Sequence, residues 1–156
     1  MPFTLRPVTD ADEEFLYRLY EATHGQQFAL LPLAPAQLEA LVRMQFNAQR
    51  TGYRQQYPAS EDCIILTGGE SSGRLWLDDS SRTYLHVVDV AILPEHQSAG
   101  LGSAVLRLVM EQASRAGKAV TLHVARMNVR ALEFYRRLGF EVSSEDEVYL
   151  ELKHHS

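Results

Sequence analysis

Residues 84–125 constrain the fold most, because a strand pattern, a helix pattern and a second strand pattern follow one another there. Residues 84–93 form a long apolar run rich in Val and Ile, which is typical of a buried central strand. Residues 120–125 alternate as a second strand does. A strand, a helix and a strand over this length predict one parallel crossover unit. The helix between them ends near Gly117 and has one apolar face, formed by Leu101, Ala104, Val105, Leu108, Val109 and Ala113.

The rest of the chain predicts helices and antiparallel strands around this unit. Residues 63–66 and 74–77 are short apolar runs separated by a turn rich in glycine and serine, as in a hairpin. The predicted order is β-α-α-β-β-β-α-β-α-β, in one mixed α/β or α+β domain. The other predicted elements are a strand at 3–8, a helix with Asp10 as N-cap and Glu13 as capping-box partner, a loop at 24–35, a second amphipathic helix, an irregular stretch at 52–60, a short helix opened by Asn128 and a closing strand at 147–152.

Composition bounds the class of protein. The 156 residues suffice for one compact domain, which we predict over residues 1–153 with a tail at 154–156. The 15 Lys and Arg against 20 Asp and Glu give a net charge of −5, which argues against binding nucleic acid through its phosphates. The one cysteine, Cys63, excludes an internal disulfide and a multi-cysteine metal site. Without an apolar signal core or a long apolar run, we expect a soluble, cytoplasmic protein that does not enter membranes.

A glycine-rich turn, Gln97-x-x-Gly100-x-Gly102, lies between the central strand and its helix. The first N–H groups of a helix have no acceptor within it and carry partial positive charge, and glycine lets the backbone approach a ligand. The position therefore suits a phosphate or pyrophosphate. The turn lacks the lysine of a P-loop, and Val105 stands where a dinucleotide fingerprint has its third glycine. By themselves, the two glycines also fit a tight turn that binds nothing.

Two motifs together resemble the GNAT superfamily of N-acyltransferases. Residues 92–103 resemble its acetyl-CoA signature, in which a strand precedes Arg or Gln, two residues, Gly, one residue, and Gly or Ala. Residues 128–140 read Asn-x-x-Ala-x-x-x-Tyr-x-x-x-Gly-Phe and resemble a later motif, so the resemblance covers residues 84–142. It implies the GNAT fold, with a mixed, mostly antiparallel sheet flanked by helices, and direct transfer of an acetyl group from acetyl-CoA to an amine, without a metal. The alternatives are an inactive acyl-CoA-binding sensor or regulatory module, and a nucleotide-binding protein of another class.

The resemblance implies how the chain would hold the coenzyme. The pantetheine arm would lie between the two parallel strands and pair with the backbone at Ala91, Ile92 and Leu93. A backbone N–H near Ala91 or Ile92 would face the thioester oxygen. Asn128 would cap its helix, hydrogen-bond the pantetheine, or do both. The pyrophosphate would be held by backbone amides and the Gln97 side chain in the turn formed by Gln97, Ser98, Ala99, Gly100, Leu101, Gly102 and Ser103.

The resemblance also assigns catalytic candidates. The Tyr135 phenol would protonate the departing thiolate, although periodicity alone favours an ordinary packed aromatic there. The amine's proton would go to His86, to Asp89 or to water. His86 resembles a histidine of aralkylamine acetyltransferases, and Asp89 resembles an acidic position of polyamine-type members. Residues three apart in a regular strand point to opposite faces, so only one would face the cleft unless a bulge shifts the register. We favour His86 as the base and give Asp89 a structural or substrate-charge role.

The sequence leaves the acceptor open between a small-molecule and a peptide amine. We expect its pocket in the first half of the chain, at the loop 24–35 and at Tyr53, Arg54 and Tyr57. The aromatic rings there would hold a cationic amine or cover the edge of the core. The histidines at residues 154–155 lack a third ligand nearby, so no metal site is predicted. A homodimer is common in the family and is compatible with this sequence.

Overall fold

Seven strands form one mixed sheet within residues 2–97 and 99–155, which the computed structural model describes. The strands are β1 (Thr4–Pro7), β2 (Glu61–Thr67), β3 (Glu70–Asp78), β4 (Tyr84–Ile92), β5 (Ala119–Ala125), β6 (Glu141–Glu145) and β7 (Tyr149–His154). The helices are α1 (Glu13–His24), α2 (Pro35–Gln56), α3 (Pro94–Gln97), α4 (Leu101–Arg115) and α5 (Val129–Arg137). None of the helices in these described ranges has the length and apolarity that a bilayer crossing requires.

The sheet order is β1-β2-β3-β4-β5-β7-β6, with β4 and β5 parallel and the other neighbours antiparallel. The predicted mixed, mostly antiparallel sheet and its crossover unit are therefore confirmed. Several elements differ from the prediction. The predicted irregular stretch at 52–60 is wrong in its first half, because α2 continues to Gln56. The pattern does not predict β6, because all residues of this edge strand are exposed and no apolar alternation marks it.

Alternate residues of the strands build two cores, one on each face of the sheet. Ile64 and Ile65 are neighbours in β2 and both are fully buried, yet they belong to different cores because successive strand side chains point to opposite faces. The core shared with α1 and α2 contains Leu16, Tyr17, Val42, Phe46 and Ile64. The core shared with α4 includes Ile65, Leu75, Leu85, Val87, Leu101, Val105, Leu106 and Val109.

The first helical segment begins one residue earlier than the sequence predicts. Thr9 is the N-cap of a short 3-10 turn that precedes α1, and its N–H donates to the Asp12 carboxylate at 2.8 Å. Two hydrogen bonds from Arg6, of 2.8 and 2.7 Å, help to lower the pKa of Asp12 to about 2. The predicted capping pair of Asp10 and Glu13 is therefore wrong. Arg6 holds the Asp12 carboxylate, and Asp12 pairs with Thr9, an N-cap one residue earlier than predicted.

The C-terminal strand extends beyond the predicted domain boundary. β7 runs to His154, which pairs with Val120 of β5. The His154 ring also lies 5.4 Å from the ring of Phe140. The predicted tail at 154–156 therefore begins too early, since its first residue is part of the sheet.

β4 and β5 separate after four residue pairs. Their parallel ladder stops at Val87 and Leu122. Beyond these residues β4 stays paired with β3, and β5 stays paired with β7. The inner edges of residues 88–92 and 123–125 are thus unpaired with each other, and we call the space between them the gap.

Candidate active site

The glycine-rich turn brings the first N–H groups of α4 to the end of β4 at which the gap opens. Gly100 is the N-cap of α4 and has φ of +79°, a left-handed conformation that favours glycine. Its carbonyl accepts the N–H of Ala104 at 3.1 Å. The N–H groups of Leu101, Gly102 and Ser103 precede that first helical bond, so they have no acceptor within the helix. They form the partly positive end at which a helix binds anions.

The turn before α4 is braced by its own hydrogen bonds. The Gln97 side chain donates from Nε2 to the Ile92 carbonyl at 2.9 Å. The Ala99 N–H donates to the His96 carbonyl at 3.4 Å. The Gln97 amide nitrogen thus holds the turn against the end of β4, instead of extending toward a phosphate. Ser98, the remaining residue proposed for this turn, lies outside the described residues.

The end of β4 presents one backbone N–H of the predicted trio to the gap. The Leu93 N–H donates to the Ser72 carbonyl of β3 at 2.9 Å. Because N–H groups alternate in direction along an antiparallel ladder, the Ala91 N–H also points toward β3, and that of Ile92 points into the gap. Ile92 therefore has the geometry expected of a ligand-binding backbone group, whereas the N–H groups of Ala91 and Leu93 are directed to the neighbouring strand.

A bulge in β4 places His86 and Asp89 on the same face of the sheet. The β3–β4 register pairs Trp76 with Asp89 and Asp78 with His86, so two steps along β3 correspond to three along β4. Val88 supplies the extra residue. Trp76 and Asp78 share a face because they are two apart, and their partners share it too. Both candidate bases therefore face α1 and α2, since the strand is not regular at this point.

His86 is buried, and both of its ring nitrogens are hydrogen-bonded to hydroxyl groups. Nδ1 lies 2.8 Å from Oγ1 of Thr121 on β5, and Nε2 lies 3.3 Å from the Tyr57 hydroxyl. The Tyr57 ring stacks on the imidazole at 5.2 Å, and the His123 ring meets it edge-on at 5.1 Å. Burial, and next the nearby His123, lower the pKa of His86 to about 4. His86 is therefore neutral near pH 7 and a weak proton acceptor.

Asp89 is half-buried among aromatic side chains. Burial raises the pKa of its carboxyl, and the charge of Arg74 acts in the opposite direction. Burial raises the pKa of Tyr20, Tyr53 and Tyr135, and the negative charge of Asp89 raises each of them further. These tyrosines belong to α1, α2 and α5. Asp89 therefore lies within electrostatic reach of three helices.

α5 carries the side chains of the later motif. The Asn128 side chain accepts a backbone N–H from the first turn of α5 at 3.2 Å, so it caps the helix as predicted. The Tyr135 ring packs edge-on against Phe134 and Phe140 at 5.3 and 5.7 Å. Its hydroxyl has no hydrogen-bond partner within residues 2–97 and 99–155. Gly102 of α4 faces this helix, since a Cβ there would stand 3.4 Å from Cζ of Phe134.

Sequence reasoning missed three aromatic residues on the face of the sheet that carries Asp89. Trp76 is its cross-strand neighbour, and the charge of Asp89 acts on Tyr20. Tyr149, at the start of β7, acts electrostatically on both Tyr20 and Tyr53. In the sequence, Tyr20 has the helical spacing of a core residue, and the other two lie in strands. The sequence offers only a weak signal for such residues, namely that a tyrosine hydroxyl needs a polar environment even where its ring packs.

Residues 15–140 match the sequence model of the acetyltransferase (GNAT) family. The chain belongs to the GNAT acetyltransferase family. Its members are acetyl-CoA-dependent N-acetyltransferases, and their amine acceptors include small molecules and proteins. The resemblance of the two motifs is thereby confirmed at the level of the family.

Solved structures of other GNAT proteins share the fold. The PaiA N-acetyltransferase from Thermoplasma acidophilum, in complex with coenzyme A, has a TM-score of 0.74 at 16% identity and covers 100% of both chains. An acetyltransferase from Thermus thermophilus has a TM-score of 0.71 at 21% identity over 100% of this chain and 98% of that one. The ribosomal-protein-S18-alanine N-acetyltransferase from Escherichia coli has a TM-score of 0.65 at 16% identity over 99% and 94%.

The residues of this GNAT acetyltransferase fit acetyl-CoA, the co-substrate of the family. The first N–H groups of α4 suit its phosphates, and the Ile92 N–H suits an extended arm within the gap. The left-handed Gly100 has open space around its α-carbon, whereas Gly102 allows Phe134 of α5 to pack against α4. In the part of the chain that the structure describes, His, Cys, Asp and Glu side chains form no group that could hold a metal ion.

Replacing Gly100 by alanine is expected to weaken coenzyme A binding about tenfold, or about 1.4 kcal/mol. An alanine at φ of +79° is strained by about 1–2 kcal/mol, and a peptide that rotates to relieve the strain turns the α4 N–H groups away. Calorimetric titration with coenzyme A measures the effect. Gly117→Ala is the matched control, because Gly117 has φ of +69° and open space around it at the other end of α4. Equal losses of affinity in both variants would contradict a role for the turn.

Proposed function

We propose that this protein transfers the acetyl group of acetyl-CoA to a primary amine, with Asp89 as the proton acceptor and Tyr135 as the proton donor. When bound, acetyl-CoA supplies an acetyl thioester with an electrophilic carbonyl carbon. The observation that carries the proposal is the electrostatic effect of the base candidate on the acid candidate. The Asp89 charge acts on the Tyr135 phenol, although Tyr135 packs against the core on the α4 side and Asp89 faces α1 and α2.

Asp89 suits removal of a proton from the acceptor. An alkylammonium group has a pKa of about 10 and must lose a proton before its nitrogen can attack. Burial raises the pKa of Asp89, which brings the two groups closer in proton affinity and makes the transfer less unfavourable. Burial also strengthens the attraction between the carboxylate and an incoming cation.

Tyr135 suits protonation of the leaving group. Burial raises the pKa of its phenol, so the proton stays on the hydroxyl near neutral pH. The hydroxyl has no other partner among the described residues, and its ring is fixed between Phe134 and Phe140. A held, protonated phenol is an effective donor to a developing thiolate.

The atoms and charges balance over the proposed reaction. The amine nitrogen bonds to the acetyl carbon, and the carbon–sulfur bond breaks. The ammonium nitrogen loses two protons: Asp89 takes the first before attack and passes it to water, and it takes the second once the nitrogen–carbon bond has formed. One proton passes from Tyr135 to the sulfur, so one proton is released to solvent overall. Exchange with water then removes the proton from Asp89 and restores that of Tyr135. The Ile92 N–H, which points into the gap, would stabilise negative charge on the carbonyl oxygen.

In this proposal His86 positions other groups and is not the base. Its two ring nitrogens are engaged with Thr121 and Tyr57, and its pKa of about 4 makes proton uptake unfavourable near neutrality. It links α2 to β5 across the paired end of β4. This reverses the preference for His86 that the sequence alone suggested.

The experiment that tests the function is amine-dependent release of coenzyme A. The purified protein is incubated with acetyl-CoA and a panel of primary amines, and the free thiol is measured with a thiol reagent. We expect release with at least one amine, together with an acetylated product identified by mass spectrometry. Tight binding of coenzyme A without release for any amine would contradict the proposal and favour the sensor or regulatory module.

A further inference from the structure

Tyrosines from three elements lie on the face of the sheet toward which Asp89, the carboxylate proposed as the base, also points. Tyr20 comes from α1, Tyr53 from α2 and Tyr149 from β7. The Tyr53 ring lies edge-on, 5.5 Å from the ring of Trp76, which is the cross-strand neighbour of Asp89. The Asp89 charge reaches Tyr20 and Tyr53, and Tyr149 acts on both of these as well. A cation bound beside a carboxylate and aromatic rings is attracted both by the negative charge and by the faces of the rings.

On the sheet face that carries Asp89, the charged side chains leave one carboxylate available to bind a cation. Asp62 is neutralised by Arg74, which donates two hydrogen bonds to it at 2.8 and 2.7 Å. Asp89 forms no ion pair within the described part of the chain, although the charges of Arg74 and His24 act on it. Two other carboxylates, Asp78 and Glu151, act instead on His86 and Tyr57 at the paired end of the strands.

The segment after α1 exposes apolar side chains. The His24 ring stacks on Tyr20 at 4.3 Å, and the chain continues from His24 into this segment. Within it Leu30 is 94% exposed, and Leu31 and Leu33 are also exposed. Exposed apolar side chains that follow one another in a segment mark a surface that contacts something apolar.

We infer that the acceptor is a primary amine with a single positive charge on an apolar, aromatic body, and that Tyr20, Tyr53 and Tyr149 select for that body. This inference rests on the proposed function and goes beyond it by naming the substrate class. A polyamine would place further cations against neutral phenols. A peptide N-terminus would bring polar backbone groups to a surface that gives them few partners.

The test compares acceptors at saturating acetyl-CoA. The amines are 2-phenylethylamine, ethylamine, spermidine and trialanine, and kcat/KM is measured for each. We expect the value for phenylethylamine to exceed the other three by at least about tenfold, which one to two kcal/mol of ring contact would supply.

A variant series assigns the preference to the tyrosines. Tyr53→Leu is expected to lower the phenylethylamine-to-ethylamine ratio of kcat/KM about tenfold, because the cation and the ring of the substrate lose an aromatic partner. Tyr149→Leu, at a half-exposed position, gives a second reading if the first variant folds poorly. Tyr84→Leu is the matched control, since this exposed tyrosine lies at the paired end of β4. Coenzyme A binding reports that each variant is folded.

The outcomes separate the substrate class from the function. Faster turnover of spermidine or trialanine would overturn the inference while the acetyltransferase proposal stands. A substrate ratio that is equal in Tyr53→Leu, Tyr149→Leu and Tyr84→Leu would also overturn it. Absence of coenzyme A release with every amine would overturn both, and the direct thiol assay identifies that case.

Discussion

Replacing Asp89 by asparagine is expected to lower kcat by at least about 100-fold at neutral pH, the lower range for a positioned acid or base. Asparagine keeps the size of the side chain and the strand bulge but cannot accept the proton. Coenzyme A affinity should stay within about twofold, since the phosphates are proposed to bind at the α4 turn, away from Asp89. Steady-state kinetics with the best acceptor and calorimetric titration measure the two quantities.

The pH profile gives a second measure of the same residue. The proposed reaction requires ionised Asp89, and burial raises its pKa, so kcat/KM should fall as the pH drops through a value above the ordinary aspartate pKa of about 3.9. This acidic limb should be absent in Asp89→Asn.

Asp78→Asn is the control for the charge itself. It removes a half-buried carboxylate from the same face of the sheet, opposite His86. We expect its turnover to stay near that of the unaltered protein. An Asp89→Asn variant with full turnover would exclude Asp89 as the base.

Replacing Tyr135 by phenylalanine is expected to lower kcat about 100-fold while coenzyme A affinity changes little. Phenylalanine keeps the edge-on contacts with Phe134 and Phe140, so the loss reports the hydroxyl alone. The same kinetics and titration measure it. Thiol release should become the slow step, so acceptors of different nucleophilicity should then give similar kcat.

Tyr17→Phe is the control for removing a phenol. The Tyr17 hydroxyl is buried in the α1–α2 core without a hydrogen-bond partner among the described residues. Its loss should leave turnover unchanged and stability equal or higher, because an unsatisfied polar group is removed. If Tyr135→Phe behaved in the same way, Tyr135 would be a packing residue, as its periodicity alone suggests.

The parts of the fold that periodicity predicted are those whose faces are buried. β4, α4 and β5 were predictable because each has an apolar pattern of the correct period. β6 was not, since its Glu, Val and Ser side chains are all exposed and no buried apolar face marks its pairing with β7. The cap of the first helical segment was missed because Arg6, from the preceding strand, decides it.

The motif positions were predictable, but the relation between the candidate bases was not. Gly100, Gly102, Asn128 and Tyr135 follow a spacing along the chain that the family shares. The bulge that brings His86 and Asp89 to one face arises from pairing with β3, so residues of β4 do not reveal it. Tyr20 and Tyr149 come near Asp89 only through tertiary folding, and the roles proposed for these residues stay predictions until the variants are measured.

The early end of the β4–β5 ladder affects how strongly the two halves of the sheet are held together. The sheet consists of two antiparallel units, β1–β4 and β5–β7, whose direct hydrogen bonding is confined to the four pairs between Tyr84–Val87 and the start of β5. A ligand that lies along both inner edges would bond to the two units at once and take the place of a missing strand. Its binding free energy would then add directly to the energy that keeps the halves together. With the co-substrate bound, the domain would thus unfold more cooperatively. Release of the product would weaken the connection between the two units.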